Sequence, residues 1–206
     1  MVKLKSPLMS LDASGSVGKA ITFSKWKGRN YVRKLVIPHN PQSGLQTGMR
    51  AWLTWLSKYW AVLSAGDKAV WAAYYPADSI SGINSFVKFN QLRVRRNLGI
   101  YTNPTNTPAA AEAAPGTNVA TAATKSVNLT WVDSAGANDK ATVIYMSTTT
   151  GFTPDISNAV LVVNHGVQKA TITRLKTGTP YYFRLGGVAY EGTLGTLAAQ
   201  VTATPT

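Results

Sequence analysis

The sequence predicts an α+β protein: a basic N-terminal β-hairpin plus about three helices, a linker, and a C-terminal all-β sandwich. Three observations predict it. Apolar residues recur at helical spacing from Leu45 to Leu63. From Ser126 onward the pattern changes to short runs of strand character separated by turns containing Gly or Pro. Between these regions, residues 101–116 (YTNPTNTPAAAEAAPG) hold three prolines and no large apolar side chain after Tyr101. The 206 residues thus divide into a basic module over 1–100, a Pro/Ala-rich linker over 101–116 and a sandwich over 117–206. Proline stiffens such a segment toward polyproline II, at about 3 Å per residue, so the linker is expected to hold the modules apart.

Charge follows the same division. Residues 1–100 carry fifteen Lys/Arg and three Asp, a net of +12, whereas residues 101–206 carry six Lys/Arg and five Asp/Glu, a net of +1. A half this basic attracts an acidic partner: nucleic acid, anionic lipid or an acidic protein surface. No run of eighteen apolar residues is present, and the start, MVKLKSPLMSLDASG, has no apolar h-region. Neither a membrane span nor a secretory signal is expected. The chain has no cysteine, which excludes disulfides, thiolate metal sites and cysteine nucleophiles.

In chain order, residues 20–36 predict the hairpin: AITFSKW, a KGRN turn in which Gly28 and Asn30 supply positive φ angles, then YVRKLV. Within it, FSKWKGRNYVRK has five Lys/Arg, three aromatic residues and no acid. Its faces mix: Ile21 and Phe23 share a side with Lys25 and Lys27, while Trp26 points the other way. A hairpin with one face in a core and one in water alternates more cleanly, so burial against another chain is expected. Pro41 and Ser43 punctuate the start of a helix over 44–63, with Leu45, Met49, Trp52, Leu53, Leu56, Trp60 and Leu63 on its stripe. Ser64-Ala-Gly-Asp67 resembles a capping box opening a second helix over 65–75, which Pro76 ends. A third helix is read over 83–97, with Phe86, Phe89 and Leu92 apolar and Arg93, Arg95 and Arg96 in its last turn, where cations complement the helix dipole. Trp52, Trp60 and Trp71 lie on apolar stripes and are read as core; Trp26 and Trp55 lie off them and are read as partner contacts.

Beyond the linker, strands are expected over 126–131, 141–148, 159–164, 169–175, 181–185 and 196–204. Trp131 at the end of the first of these, together with LKTGTPYYFRL at 175–185, resembles a fibronectin type III domain over roughly residues 117–206. The matching positions are Trp131, Leu175, Gly178, Thr179 and Tyr181; Thr177 stands where that family often has Pro. The resemblance implies that Trp131 and Leu175 are core and that the Tyr181 hydroxyl bonds nearby backbone in a tyrosine corner. It names no chemistry, and the chain has no Arg-Gly-Asp triplet to suggest integrin binding.

Residues 5–97 are similar to the N-terminal region of a group of tailed-bacteriophage proteins. The matching pieces are Gly15, Gly18, Asn40-Pro41, Ser43 and LSAGDKAVW at 63–71. The resemblance implies a virion structural protein in the head, tail or neck. It would be present in several copies or as a homo-oligomer, with coat, portal or tail proteins as partners.

Chemistry is not expected. GSVGKA at 15–20 lacks both the spacing and the Ser/Thr of a phosphate-binding loop. His39 and His165 fall in different modules without carboxylates close in sequence, and Asp133 and Asp139 share what reads as a solvated turn. No enzyme activity, metal or cofactor is therefore anticipated. The first expectation is a phage structural protein anchored through Lys25, Trp26, Lys27, Arg29, Tyr31, Arg33, Lys34, Trp55, Arg93, Arg95 and Arg96. The first alternative gives those residues to nucleic acid, with phosphates on the cations and bases stacked on Trp26 and Tyr31. The second makes the sandwich loops, with Phe152 and Tyr190, a reader of host surface or glycan.

Overall fold

The structure is a computed structural model. It describes residues 2–4, 14–18, 20–37, 40, 42–107, 111, 113–136, 139–189 and 194–206. The expectations at His39, Pro41 and Tyr190 fall outside them. The chain is α+β and divides into two compact units, Met1–Pro41 and Gln42–Thr206.

The first unit is a four-stranded antiparallel sheet. It is built from β1 (Val2–Leu4), β2 (Gly15–Val17), β3 (Ile21–Trp26) and β4 (Arg29–Lys34), in the order β1-β4-β3-β2. The hairpin expected over 20–36 is its centre. Trp26 pairs with Arg29, so the turn is only Lys27-Gly28, and these two residues take the positive φ angles of 49° and 75°. Such a pair matches the right-handed twist of the strands it joins. Asn30, expected in the turn, lies in β4 opposite Lys25.

The second unit corrects the expected modular division. Helices α1 (Gly44–Val62), α2 (Ala65–Tyr74) and α3 (Gly82–Val94) lie in the same unit as the sandwich. α2 starts on a cap in which the Ser64 hydroxyl accepts the Asp67 N–H at 3.1 Å and donates to the Asp67 carboxylate at 2.7 Å. α3 stops at Val94, so Arg93 alone occupies its last turn; Arg95 caps it and Arg96 lies beyond.

The sandwich comprises β5 (Gly116–Ala123), β6 (Ser126–Val132), β7 (Asp139–Ser147), β8 (Ala159–Asn164), β9 (Lys169–Thr173), β10 (Tyr181–Ala189), β11 (Leu194–Leu197) and β12 (Val201–Ala203). One sheet runs β5-β6-β9. The other runs β11-β10-β7-β8, with β12 also paired to β10. A three-stranded antiparallel sheet packed on a larger one in this order is a fibronectin type III-like sandwich. Two expectations change here. β5 has Ala and Thr where strands usually carry large apolar residues, and it adds a strand to the sandwich ahead of the first one expected, at Ser126. The single strand expected over 196–204 is two strands, both paired to β10.

Between the sheets lie Val127, Leu129, Trp131, Ile144, Leu175, Phe183 and Leu185. A second core covers the opposite face of the larger sheet. There Ala141, Val143, Tyr145, Ala159, Val162 and Val188 pack with Trp52, Trp55, Leu56, Trp71, Phe86, Val94, Ile100 and Tyr101 from the helices and the segment after them. The result is three layers: helices, large sheet, small sheet. β7 is therefore buried on both faces, which is why ATVIYM is apolar at every position but Thr142 and does not alternate.

The segment read as a stiff spacer begins as part of this core. Asn90, buried on α3, donates to the Tyr101 carbonyl at 3.0 Å and accepts the Tyr101 N–H at 2.7 Å. The Trp71 indole N–H donates to the Thr102 carbonyl at 2.7 Å. These bonds satisfy backbone groups that burial would otherwise leave unpaired, and they bind the chain to the helices where separation was expected. None of the described helices is long and apolar enough to cross a membrane.

Candidate functional site

Strand pairing sorts the side chains of the N-terminal sheet. Side chains alternate along a strand, and directly paired residues share a face. Ile21, Phe23 and Lys25 of β3 thus share one face with Lys34, Val32 and Asn30 of β4, and with Val17 of β2. Thr22, Ser24 and Trp26 share the other with Arg33, Tyr31 and Arg29, and with Ser16. One face is mainly apolar with a lysine at each end. The other is basic, aromatic and hydroxyl-bearing. Across β2, β3 and β4 and on to Ile37, no side chain whose burial is described is buried, and Val17, Ile21, Val36 and Ile37 are all exposed. Trp26 is 64% exposed, and the Lys27 ammonium lies over its ring at 5.0 Å, a solvent-side cation–π contact. Lys25, Lys27, Arg29, Arg33 and Lys34 are exposed, and Tyr31 is partly buried.

The other expected contact residues lie in the second unit and part company. Trp55 is only 3% exposed, which corrects its reading as a partner contact. Its ring packs edge-on to Trp52 and stacks on Tyr59, and its N–H donates to Asn164 Oδ1 at 2.7 Å. α1 carries two apolar stripes because it packs on a sheet as well as on α3, and the second stripe holds Trp55. Arg93 is also committed internally: its Nε–H donates to the Gly99 carbonyl at 2.7 Å and its guanidinium sits 4.3 Å from the Tyr101 ring. Burial lowers its pKa, with Tyr101 opposing, yet a guanidinium stays charged. Arg95 and Arg96 are exposed.

In the sandwich, Trp131 and Leu175 are buried between the sheets, and the Tyr181 hydroxyl accepts the Lys176 N–H at 3.1 Å. Phe152, suggested as a loop reader, is buried as well.

A cluster not expected from the sequence lies at one end of the sandwich. Asp133 follows β6, Asp139 opens β7 and His165 follows β8. Pairing of β7 with β8 sets Asn164 opposite Ala141, and the His165 N–H donates to the Lys140 carbonyl at 3.0 Å, so His165 is carried to the start of β7. Its Nδ1 stands 3.3 Å from Asp139 Oδ2 and 3.7 Å from Asp133 Oδ2. The carboxylates are not solvated as expected: Asp133 is 8% and Asp139 4% exposed, whereas the His165 side chain is 49% exposed. Asp133 is held by three donors: the Trp131 indole N–H at 2.8 Å, the Thr142 hydroxyl at 3.3 Å and the Gly166 N–H at 2.6 Å. Gly166 has a φ of 87°, a conformation that suits glycine and directs its N–H back to the carboxylate. Burial pushes the Asp139 carboxyl above its ordinary pKa; the hydrogen bond and charge of His165 oppose this, the Asp133 charge adds to it, and the Ala141 backbone N–H also opposes it. The spacing of 26 residues between Asp139 and His165 hides the cluster in the sequence. Only strand pairing reveals it.

No family model and no curated protein matches the chain. Among solved structures, the chain is similar to a β-1,2-glucanase from Parabacteroides distasonis, with 23% identity over 50% of this chain and 14% of that one, at a TM-score of 0.41. It is also similar to an Fn3-like protein from Clostridium thermocellum, with 26% identity over 47% of this chain and 96% of that one, at a TM-score of 0.38. The FN1–FN3 domains of chicken CNTN1 align at 12% identity over 48% of this chain and 32% of theirs, at a TM-score of 0.40. The chain spans far less than two thirds of the glucanase and CNTN1 chains.

Proposed function

We propose that the chain is a structural protein of a tailed-bacteriophage particle. It is held there in several copies through its basic N-terminal sheet, and the helix-backed sandwich forms the displayed body. The observation that carries this reading is the state of that sheet. It exposes Val17, Ile21 and Trp26, the chain leaving it exposes Val36 and Ile37, and no side chain whose burial is described in β2, β3 or β4 is buried. A small sheet without a buried face is marginal in water, and burial against a partner supplies the missing core. Five exposed cations between 25 and 34, with no acid among them, favour an acidic partner surface. The similarity of residues 5–97 to phage proteins points to coat, portal or tail proteins as that partner. The test is copy number per purified particle, by quantitative mass spectrometry against the major coat protein. On the order of a hundred copies is the result expected for a head shell, and roughly 3 to 12 for a tail or neck ring. Absence from the particle overturns the reading.

A second reading is favoured by the sorting of the faces. Arg29, Arg33, Trp26 and Tyr31 share one side of the sheet, an arrangement suited to phosphates and stacked bases. On this reading the chain binds nucleic acid, with an affinity for single-stranded DNA that falls steeply with added salt. An absence of binding at low salt rejects it.

A further inference from the structure

We propose that Asp133, Asp139 and His165 form a binding site for a first-row divalent cation of the Zn²⁺ class, at the end of the sandwich where β6, β7 and β8 meet. The donor set comes first. One ligand atom from each residue lies within 4.8 Å of the other two. Donors at about 2.0–2.2 Å from a tetrahedral zinc stand about 3.3–3.6 Å apart. The His165 Nδ1 to Asp139 and Asp133 distances of 3.3 and 3.7 Å bracket that spacing closely, so small side-chain adjustments complete it. Imidazole with carboxylates suits zinc and its neighbours, whereas calcium and magnesium prefer oxygen alone.

The second, independent observation is an orphaned atom. Asp139 Oδ1 shares a carboxyl carbon with the Oδ2 that meets His165. It is buried, and it has no hydrogen-bond partner among the described residues. Buried carboxylate oxygens are normally satisfied, because leaving one bare costs its full desolvation. Two buried carboxylates this close also repel, and a dication bound by both offsets that repulsion. The surroundings supply the orientation that metal ligands need. Trp131, Thr142 and Gly166 hold Asp133 in place, as outer-shell donors do at metal sites. His165, half exposed, leaves the remaining coordination position open to solvent.

The test is calorimetric titration of the full chain with ZnCl₂, and separately with MnCl₂, alongside thermal melts. His165→Gln is the main variant, since its exposed side chain is not needed for packing; Asp139→Asn is the second. His39→Ala is the control, because the chain has only two histidines. The expected result is saturable binding of one Zn²⁺, and a zinc-dependent rise in Tm, in the wild type and in His39→Ala. Affinity should fall at least about tenfold in both site variants, the scale on which losing one ligand or its support acts. If the wild type shows no saturable site, or binds equally well as His165→Gln, the proposal is wrong. Loss of binding only in His39→Ala likewise overturns it. An interaction by protonated His165 alone, without metal, gives the first of these outcomes.

Discussion

Replacing Gly48 by alanine tests the packing that joins the helices to the sandwich. Gly44 and Gly48 are one turn apart on α1 and face the segment before β8. A Cβ at Gly48 would stand 3.0 Å from the carbonyl carbon of Ile156 and 3.3 Å from its Cγ1, and would overlap the carbonyl oxygen itself. At Gly44 the same atom would overlap the Ser157 carbonyl oxygen. Relief requires α1 and this backbone to part by about 1–1.5 Å, since non-bonded heavy atoms sit at about 3.5–4.0 Å. Overpacking of this kind costs about 1–3 kcal/mol and occasionally more. Parting also loosens Trp52 and Trp55 against the sheet, a further loss of about 2 kcal/mol for about 80 Å² of apolar surface re-exposed, while the alanine returns about 1 kcal/mol of helix propensity. The expected net is a loss of about 2–4 kcal/mol. With about 2–4 °C per kcal/mol for a unit of this size, Tm should drop by about 5–15 °C. Gly66→Ala provides the contrast. Its Cβ meets only Ser64 Oγ, at 3.8 Å, so the propensity gain stands alone and Tm should hold or rise slightly. Both are read by calorimetric or circular-dichroism melts of the full chain. A Gly48→Ala protein that melts within about 1 °C of the wild type, or above it, would refute the close approach of α1 to the sandwich.

Two further perturbations follow from named bonds. Asn90→Ala leaves the buried Tyr101 N–H and carbonyl without their partner; a loss of about 2–4 kcal/mol is expected, measured by urea unfolding, and a loss under 1 kcal/mol would deny that Asn90 holds the segment to α3. Ser64→Ala removes the α2 cap and should cost about 1 kcal/mol, with Ser64→Thr retaining most of it; equal midpoints for the alanine and threonine variants would show that the hydroxyl is not the cap.

Elements whose signal is local are legible from the chain alone. The apolar stripes of α1 and α2, the cap at Ser64, the alternation of β6 and the turn into β10 at Tyr181 all depend on neighbours within a few residues. The bounds of α1, α2 and β6 were legible to within a residue or two, as was the start of β10, which runs four residues beyond its expected end. The basic run at 25–34 was equally plain, because charge needs no folding to be counted. The remaining features depend on partners distant in sequence. Trp55 looked stray on a helix assumed to have one buried face; it is core because a sheet covers a second face. Residues 101–102 looked like the start of a spacer, since nothing local announces that Asn90 and Trp71 bond their backbone. β5 carried too few large apolar residues to be read as a strand, and its place comes from pairing with β6. Asp133, Asp139 and His165 converge through the register of β7 against β8. Local periodicity reports which face of an element is apolar, but not how many layers will cover it or which distant side chains a strand pairing will bring together.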